Sequence, residues 1–230
     1  MRIRKKAITL MVVVLLGIVI GSLAVTEHRL TRLENGVLRL HILADSDAAA
    51  DQADKLAVRD ALLARAGEWM YHADTQAEAV NELEANLSEM EAIAQETLRK
   101  RGSEAGVRAM VCETEFPVRT YGSVTLPAGT YQALRVEIGT GSGRNWWCVM
   151  YPSLCVPAAG CERTETDTEL MHDTFDAGVC DLAEHPSRYE VRLKCVEILR
   201  GIRKYVAQQF EGTDQKNGME SDTEGLENSN

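Results

Sequence analysis

The sequence predicts an α+β fold: a single exported domain with a small, mainly antiparallel sheet packed by about three helices, behind an N-terminal signal or anchor helix. Three observations support this prediction. An apolar run occupies residues 7–25, helical periodicity dominates residues 48–101, and β-type runs separated by turn residues dominate residues 106–156.

The N-terminal run indicates export. Four basic residues precede it, Arg2, Arg4, Lys5 and Lys6, and its length lies between that of a signal-peptide core and that of a membrane-spanning helix. A basic flank stays on the cytoplasmic side, so the rest of the chain is expected outside. A cleaved signal and an uncleaved anchor both remain open. We therefore divide the chain into a signal or anchor (1–26), an exported domain (27–210) and a disordered acidic tail (211–230).

The exported domain begins with a β-type run over residues 37–44, followed by a helix that reaches about Met70. Asp47 is its expected N-cap. On this helix Arg59 falls inside the apolar arc, with Asp60 at the edge of the arc. A guanidinium in such a place must be paired, extend its charge to solvent, or serve a partner.

A capping box, Thr75 to Glu78, predicts a single long helix to residue 101. Its apolar stripe comprises Val80, Leu83, Leu87, Met90, Ala94 and Thr97. Three strands are expected next, over residues 107–116, 130–138 and 145–151. The glycine-rich segment 139–143 between the last two has a strand behind it rather than a helix, which favours a hairpin turn over a phosphate-binding loop.

The C-terminal part is expected to hold a loop over residues 157–187 and then a closing helix. A second capping box, which starts at Ser187, opens that helix. The side chains expected to face inward are Val191, Cys195, Ile198, Leu199, Ile202 and Val206.

Six cysteines in an exported chain indicate disulfides: Cys112, Cys148, Cys155, Cys161, Cys180 and Cys195. The expected pair is Cys148 with Cys155, because Tyr151-Pro152 can turn the chain back between them. Zinc-ligand spacings of the C-x-x-C or H-x-x-x-H type do not occur in the sequence, so neither a metal nor another cofactor is expected. The net charge of −10 argues against a nucleic-acid partner.

Adjacent tryptophans, Trp146 and Trp147, make residues 145–155 the most informative segment. Neighbouring residues on a strand point to opposite faces, so one indole is expected in the core and the other outside. A large exposed aromatic side chain is a typical anchor of a protein interface.

A long series of residues resembles the stage II sporulation protein R family. It begins with Arg39-Leu40-His41-Ile42-Leu43-Ala44-Asp45-Ser46-Asp47 and continues with Val58-Arg59-Asp60, Leu126-Pro127-Ala128-Gly129 and Ala133-Leu134-Arg135-Val136. Asn145-Trp146-Trp147-Cys148-Val149, Pro152 and Leu154-Cys155 complete the central block, and Tyr189-Glu190-Val191-Arg192 follows. The resemblance covers roughly residues 37–205.

This resemblance implies a signalling protein of endospore-forming bacteria. Such proteins are exported from the forespore into the space between the two septal membranes. There they activate a membrane-embedded aspartyl protease of the mother cell, which removes the pro-sequence of sigma-E. No small-molecule substrate is expected. The candidate residues for the partner interface are Trp146, Trp147, His41, Asp45, Arg59 and Asp60.

Two alternative functions compete with this one. An exported cell-wall hydrolase would use Cys148 as nucleophile with His41 or His185 as base, although no local cysteine-protease signature surrounds Cys148. A structural septal protein would only need to fold and bind the wall, and it would tolerate changes at an outward tryptophan. The sequence therefore favours a binding protein over an enzyme.

Overall fold

The computed structural model describes residues 2–154 and 167–207. They form two compact units, one being Arg29–Pro186 and the other the described parts of Met1–His28 and Ser187–Asn230. The elements in chain order are α1 (Arg2–Gly36), β1 (Leu38–Leu43), α2 (Ala49–Trp69), α3 (Gln76–Ala85), α4 (Leu87–Lys100), β2 (Val107–Phe116), β3 (Arg119–Tyr121), β4 (Val124–Leu126), β5 (Gly129–Ile138), β6 (Asn145–Tyr151), α5 (Asp167–Thr174), α6 (Ala177–Glu184), a 3-10 helix (Pro186–Arg188) and α7 (190–207).

Helix α1 contains the predicted apolar run and continues well beyond it. The stretch Lys6–Gly36 has 31 residues and is apolar enough to cross a membrane. At about 1.5 Å per residue it exceeds the roughly 30 Å of a bilayer core. None of its most apolar part is buried inside the protein. The helix therefore suits a membrane anchor, and its position at the N-terminus suits a signal sequence equally well.

The main sheet has four strands in the order β2-β5-β1-β6. Strand β1 is parallel to β5 and antiparallel to β6, and β5 is antiparallel to β2. Strands β3 and β4 form a separate antiparallel hairpin that the sequence did not predict. The predicted α+β class with a small, mainly antiparallel sheet is confirmed.

Segment 139–143 is not a hairpin turn, so that prediction is wrong. Strand β1 lies between β5 and β6, and the glycine-rich segment crosses the end of β1. All six residues of β1 are buried. A strand buried along its whole length takes a central position, where neighbours satisfy both of its hydrogen-bonding edges.

One face of the sheet is covered by helices. Trp146, which pairs with Ile42 and therefore shares its face, lies against Arg59 of α2. Helix α4 protects the outer edge of β2 at one end, because Gln95 accepts from the Val107 amide (3.2 Å) and Glu91 accepts from the Ala109 amide (2.7 Å). The buried core of this side includes Leu38, Leu40, Ile42, Val58, Leu62, Met90, Ala94, Leu98 and Val136.

The long helix predicted over residues 76–101 is two helices. The capping box of Thr75 and Glu78 is present as predicted, but the helix is interrupted at Asn86, which ends α3 and precedes α4. The Asn86 side chain donates to the Glu82 carbonyl at 2.7 Å, a local bond that competes with helical continuation. The buried stripe is accordingly Ala79, Leu83, Met90, Ala94 and Leu98.

Asp47 is not the N-cap of α2. Ala48 occupies that position and makes no side-chain capping bond. The Asp47 carboxylate instead accepts from the Arg144 amide at 2.8 Å, and the Ser46 hydroxyl accepts from the Ala48 amide at 3.1 Å. The aspartate that sequence rules assign to the helix thus joins β1 to the segment before β6.

The loop predicted over residues 157–187 contains α5 and α6. Asp176 caps α6 by accepting from the amides of Gly178 and Val179, and the buried side chains of α6 are Val179, Cys180, Leu182 and Ala183. These helices have only eight residues each, too few to show periodicity. The predicted tail (211–230), Cys155 and Cys161 lie outside the described residues.

The closing helix α7 differs from its prediction in two ways. It begins at residue 190, after a 3-10 turn that contains Ser187, so Ser187 does not cap it. Most side chains expected inside are exposed instead, namely Val191, Ile198, Leu199, Ile202 and Val206, while Cys195 is half-buried. Val196, at 1 % exposed, is the buried apolar residue of this helix.

Candidate functional site

Strand β6 places the two tryptophans on opposite faces of the sheet. Trp146 pairs with Ile42 and Trp147 pairs with His41, so alternation along the strand separates the indoles as predicted. The expectation of one core and one outer indole is only half met, because both residues are half-buried. Each indole is the centre of its own cluster.

The Trp147 cluster is a stack of aromatic rings on the face away from α2. Trp147 stacks on His41 with ring centroids 3.9 Å apart, and Phe116 meets the indole edge-on at 4.7 Å. Residues directly opposite on antiparallel strands come close enough for this stacking. The outer side of the indole remains partly available to a partner.

His41 is a buried, neutral member of this cluster. The residue is 4 % exposed, and Nε2 lies 2.8 Å from Oδ1 of Asn145. An amide oxygen only accepts, so Nε2 carries the proton and Nδ1 is an acceptor without a partner. Burial lowers the pKa of His41 below its ordinary value. His41 therefore stacks as an uncharged ring at neutral pH.

A buried arginine that sequence reasoning missed lies beside the Trp147 cluster. Arg39 is fully buried, and its guanidinium carbon is 3.9 Å from the ring centroid of Phe116 and 4.8 Å from that of Tyr131. Its Nη2 donates to the Tyr121 hydroxyl at 2.7 Å, whereas Nε and Nη1 have no hydrogen-bond partner. Burial lowers the pKa of Arg39. The sequence does contain a signal for the burial of Arg39, because Arg39 and His41 are the polar residues within the apolar run Leu38–Leu43.

The exposed part of this face forms two cross-strand rows, which we call the Trp147 platform. The register puts Trp147, His41, Arg135 and Met110 in one row and Asn145, Leu43, Glu137 and Arg108 in the next. Arg135 and Glu137 form an ion pair with Nη2 and Oε1 2.7 Å apart. Apart from His41 and Leu43, every member is at least partly exposed. Trp147 thus stands at the β6 edge of a surface whose other exposed members are mostly polar or charged, and aromatic side chains beside polar groups are common in protein interfaces.

Helix α2 covers the Trp146 cluster. The Arg59 guanidinium lies 4.2 Å above the Trp146 ring and pairs with Asp60 at 2.6 Å. The Arg59 side chain is 13 % exposed, whereas that of Asp60 is 51 % exposed. Arg59 is thus both paired and stacked, which satisfies a guanidinium in an apolar arc without any external partner.

Asp45 organises the segment that crosses β1. Its carboxylate accepts from the Thr140 amide at 2.7 Å and from the Thr140 hydroxyl at 2.9 Å. These bonds lower the pKa of the Asp45 carboxyl. Gly139 has a φ of +57°, and a Cβ there would lie 2.3 Å from an Asp45 oxygen. The glycines of this segment therefore permit close approach to Asp45 and do not cradle a phosphate.

The sheet separates the two groups that the hydrolase hypothesis needs. Cys148 pairs with Leu40 and so faces α2, while His41 faces the opposite side. Cys148 is also disulfide-bonded, and His185 pairs with Asp181 at 3.3 Å. Among residues 2–154 and 167–207, no group of His, Cys, Asp or Glu side chains is arranged to hold a metal ion.

Comparison with known proteins gives one consistent result. The family described as Stage II sporulation protein R matches residues 34–160. Stage II sporulation protein R of Bacillus subtilis (strain 168) is 35 % identical over 130 residues, which cover 56 % of this chain and 58 % of that protein. The chain thus matches somewhat more than half the length of this relative. No solved structure matches it.

Proposed function

We propose, from the premise that the chain belongs to the stage II sporulation protein R family, that it is an exported signalling ligand of sporulation. Its proposed target is the membrane-embedded aspartyl protease that processes the pro-form of sigma-E. The observation that carries the proposal is the family match over residues 34–160, which contains the whole sheet and both tryptophans. The family is one of sporulation signalling and is not known for catalysis.

The N-terminal helix supports the export part of the proposal. Its basic start and apolar length suit either a cleaved signal or an anchor. In both cases the sheet unit would enter the space between the septal membranes, where it would meet a protease embedded in the opposite membrane.

We assign the Trp147 platform as the contact surface. The Trp147 indole is stacked, so it loses little conformational freedom on binding, and it is partly exposed. The Trp146 indole, by contrast, is already covered by Arg59. Activation requires that the ligand bind the active state of the protease more tightly than the inactive state. Asp45, just after the end of β1, remains a candidate at the margin of the interface, whereas Arg59 and Asp60 lie on the opposite, α2-covered face.

A disulfide would hold the end of β6 in an oxidising space. Cys148 takes part in one, and we propose that its partner is Cys155, as the sequence predicts. The closed loop would be short, so its entropic stabilisation is about 2–3 kcal/mol. Mass spectrometry of the non-reduced exported protein after proteolysis would identify the linked peptides, and a Cys148–Cys161 peptide would refute this pairing.

Co-expression in a non-sporulating host tests the function. The chain, its candidate protease and the pro-sigma substrate would be produced together, and processing would be followed by immunoblot. We expect processing with the wild type and a loss of about thirtyfold or more with Trp147→Ala, as for an aromatic hot-spot residue. Trp146→Ala is the matched control on the opposite face and should retain processing.

The outcomes separate the hypotheses. Normal processing by Trp147→Ala at normal protein levels would refute the platform while leaving the signalling function intact. Absence of processing with the wild type, together with correct export of the chain, would refute the assigned protease. Equal loss in both variants with unchanged thermal unfolding would mean that both faces contact the partner.

A further inference from the structure

Helix α7 carries an exposed apolar face that the described residues of its own unit do not cover. The exposed fractions are 77 % for Val191, 60 % for Ile198, 46 % for Leu199, 55 % for Ile202, 64 % for Tyr205 and 44 % for Val206. At 100° per residue these side chains share an arc of about 120°. An arc of this width in a folded protein indicates a surface that meets another apolar phase.

The rest of α7 is basic. Five basic residues, Arg192, Lys194, Arg200, Arg203 and Lys204, outnumber two acidic ones, Glu190 and Glu197. The helix therefore carries a net charge of +3 in a chain whose total is −10. An amphipathic helix with an apolar face and Lys or Arg on its polar face has the composition of a helix that lies in the interface of an anionic membrane.

Ion pairs locate α7 next to the end of the apolar part of α1, within the same compact unit. Glu27 of α1 lies 3.3 Å from Arg203 and 3.8 Å from Arg200 of α7. The apolar run of α1 ends at Val25, so Glu27 stands where a membrane-inserted α1 would leave the hydrocarbon. On the helical wheel, Arg200 lies on the side of α7 opposite the exposed arc and Arg203 lies outside the arc near its Leu199 edge, so neither ion pair covers the arc.

We propose that α7 lies on the surface of the membrane that α1 enters, with its exposed apolar arc in the boundary between headgroups and acyl chains of an anionic phospholipid bilayer. Its basic residues then face the headgroups. The proposal rests on the membrane-anchor part of the proposed function and is independent of the protease. It gives the chain a second membrane contact near the first, which would fix the orientation of α7 at the bilayer.

Hydrogen–deuterium exchange of the full chain in nanodiscs tests this, with one chain per disc. Insertion of α1 is verified separately by its own exchange protection. We expect residues 190–207 to exchange at least about tenfold more slowly in discs that contain anionic phospholipid than in purely zwitterionic discs. The double variant Ile198→Glu/Ile202→Glu should lose this protection. Val118→Glu, at an exposed valine of the sheet unit, is the matched control and should keep it.

A charge variant sharpens the assignment. Lys194→Gln/Lys204→Gln leaves the ion pairs with Glu27 in place and should weaken docking on anionic discs by about thirtyfold. Exchange of α7 that changes neither with lipid charge nor in the Ile198→Glu/Ile202→Glu variant would overturn the proposal. So would protection that appears only when two chains share a disc, since a second copy would then cover the face. If α1 itself is unprotected, the anchor is not inserted. Exchange protection of α7 in the full chain mixed with anionic vesicles would then decide whether α7 docks on the membrane.

Discussion

The turn after β1 and strand β1 itself differ in whether their polar side chains find hydrogen-bond partners. In the turn, Asp45 and Asp47 each find backbone or side-chain donors in the segment that precedes β6. On the strand, Arg39 and His41 are buried with nitrogen atoms that have no partner. Polar groups with hydrogen-bond partners help to specify a fold. Buried polar groups without partners lower its stability, and such groups are often found at functional sites. Substitutions in the two regions should therefore change stability in opposite directions.

The largest effect is expected at Gly143, where the segment before β6 lies against the turn after β1. A Cβ at Gly143 would lie 2.2 Å from the carbonyl oxygen of Ser46, a backbone atom that has little freedom to move. We expect Gly143→Ala to lower the free energy of unfolding by about 3 kcal/mol. Gly106→Ala is the matched control, because a Cβ there meets no atom within 4 Å, and it should change stability by less than about 0.5 kcal/mol. Urea denaturation of both variants measures the difference, and equal stabilities would contradict it.

The strand should respond in the opposite direction. Replacing a buried, incompletely paired charge with an apolar side chain of similar length is often stabilising. We therefore expect Arg39→Met to raise the free energy of unfolding, measured by urea denaturation, by about 1 kcal/mol, although Tyr121 loses its donor. Sigma-factor processing should fall, since Arg39 supports Phe116 under the Trp147 platform.

A loss of stability of several kcal/mol in Arg39→Met would show that the rings of Phe116, Tyr131 and Tyr121 fully compensate the buried charge. Unchanged processing in a stabilised variant would show that Arg39 has no part in signalling. Arg119→Met, at an exposed arginine of the β3–β4 hairpin whose charge repels that of Arg39, shows how much of the change comes from relief of that repulsion.

His41 should make stability depend on pH. Burial holds its pKa in the folded chain below the ordinary value of 6.5. As the pH falls through 6.5, the unfolded chain takes up a proton that the folded chain does not, so stability is present above this range and declines below it. We expect His41→Gln to lose less stability than the wild type when the pH is lowered from about 7.5 to about 5 in urea titrations. His72→Gln, at an exposed histidine, should follow the wild type.

The sequence predicted the bounds of the strands better than their order in the sheet. Periodicity located β1, β2, β5 and β6 nearly to the residue, and alternation separated Trp146 from Trp147. It did not reveal that β1 enters between β5 and β6, because strand order depends on contacts between distant segments. Asp47 was assigned to the helix by a local rule, whereas its partner at Arg144 is remote in sequence. Arg39 was missed because burial of a polar residue within an apolar strand depends on what packs over it.

The smallest effect is expected on the helix-covered face, at Arg59. Its guanidinium stacks on Trp146 and pairs with a half-exposed Asp60, and such contacts contribute about 0.5–1 kcal/mol. Arg59→Met keeps most of the packing, so we expect a loss of about 0.5 kcal/mol and normal processing. Asp60→Asn separates the ion pair from the stack and should change stability less. Lost processing in a fully stable Arg59→Met chain would move the interface to the Trp146 side of the sheet, because only a partner could then require the charge.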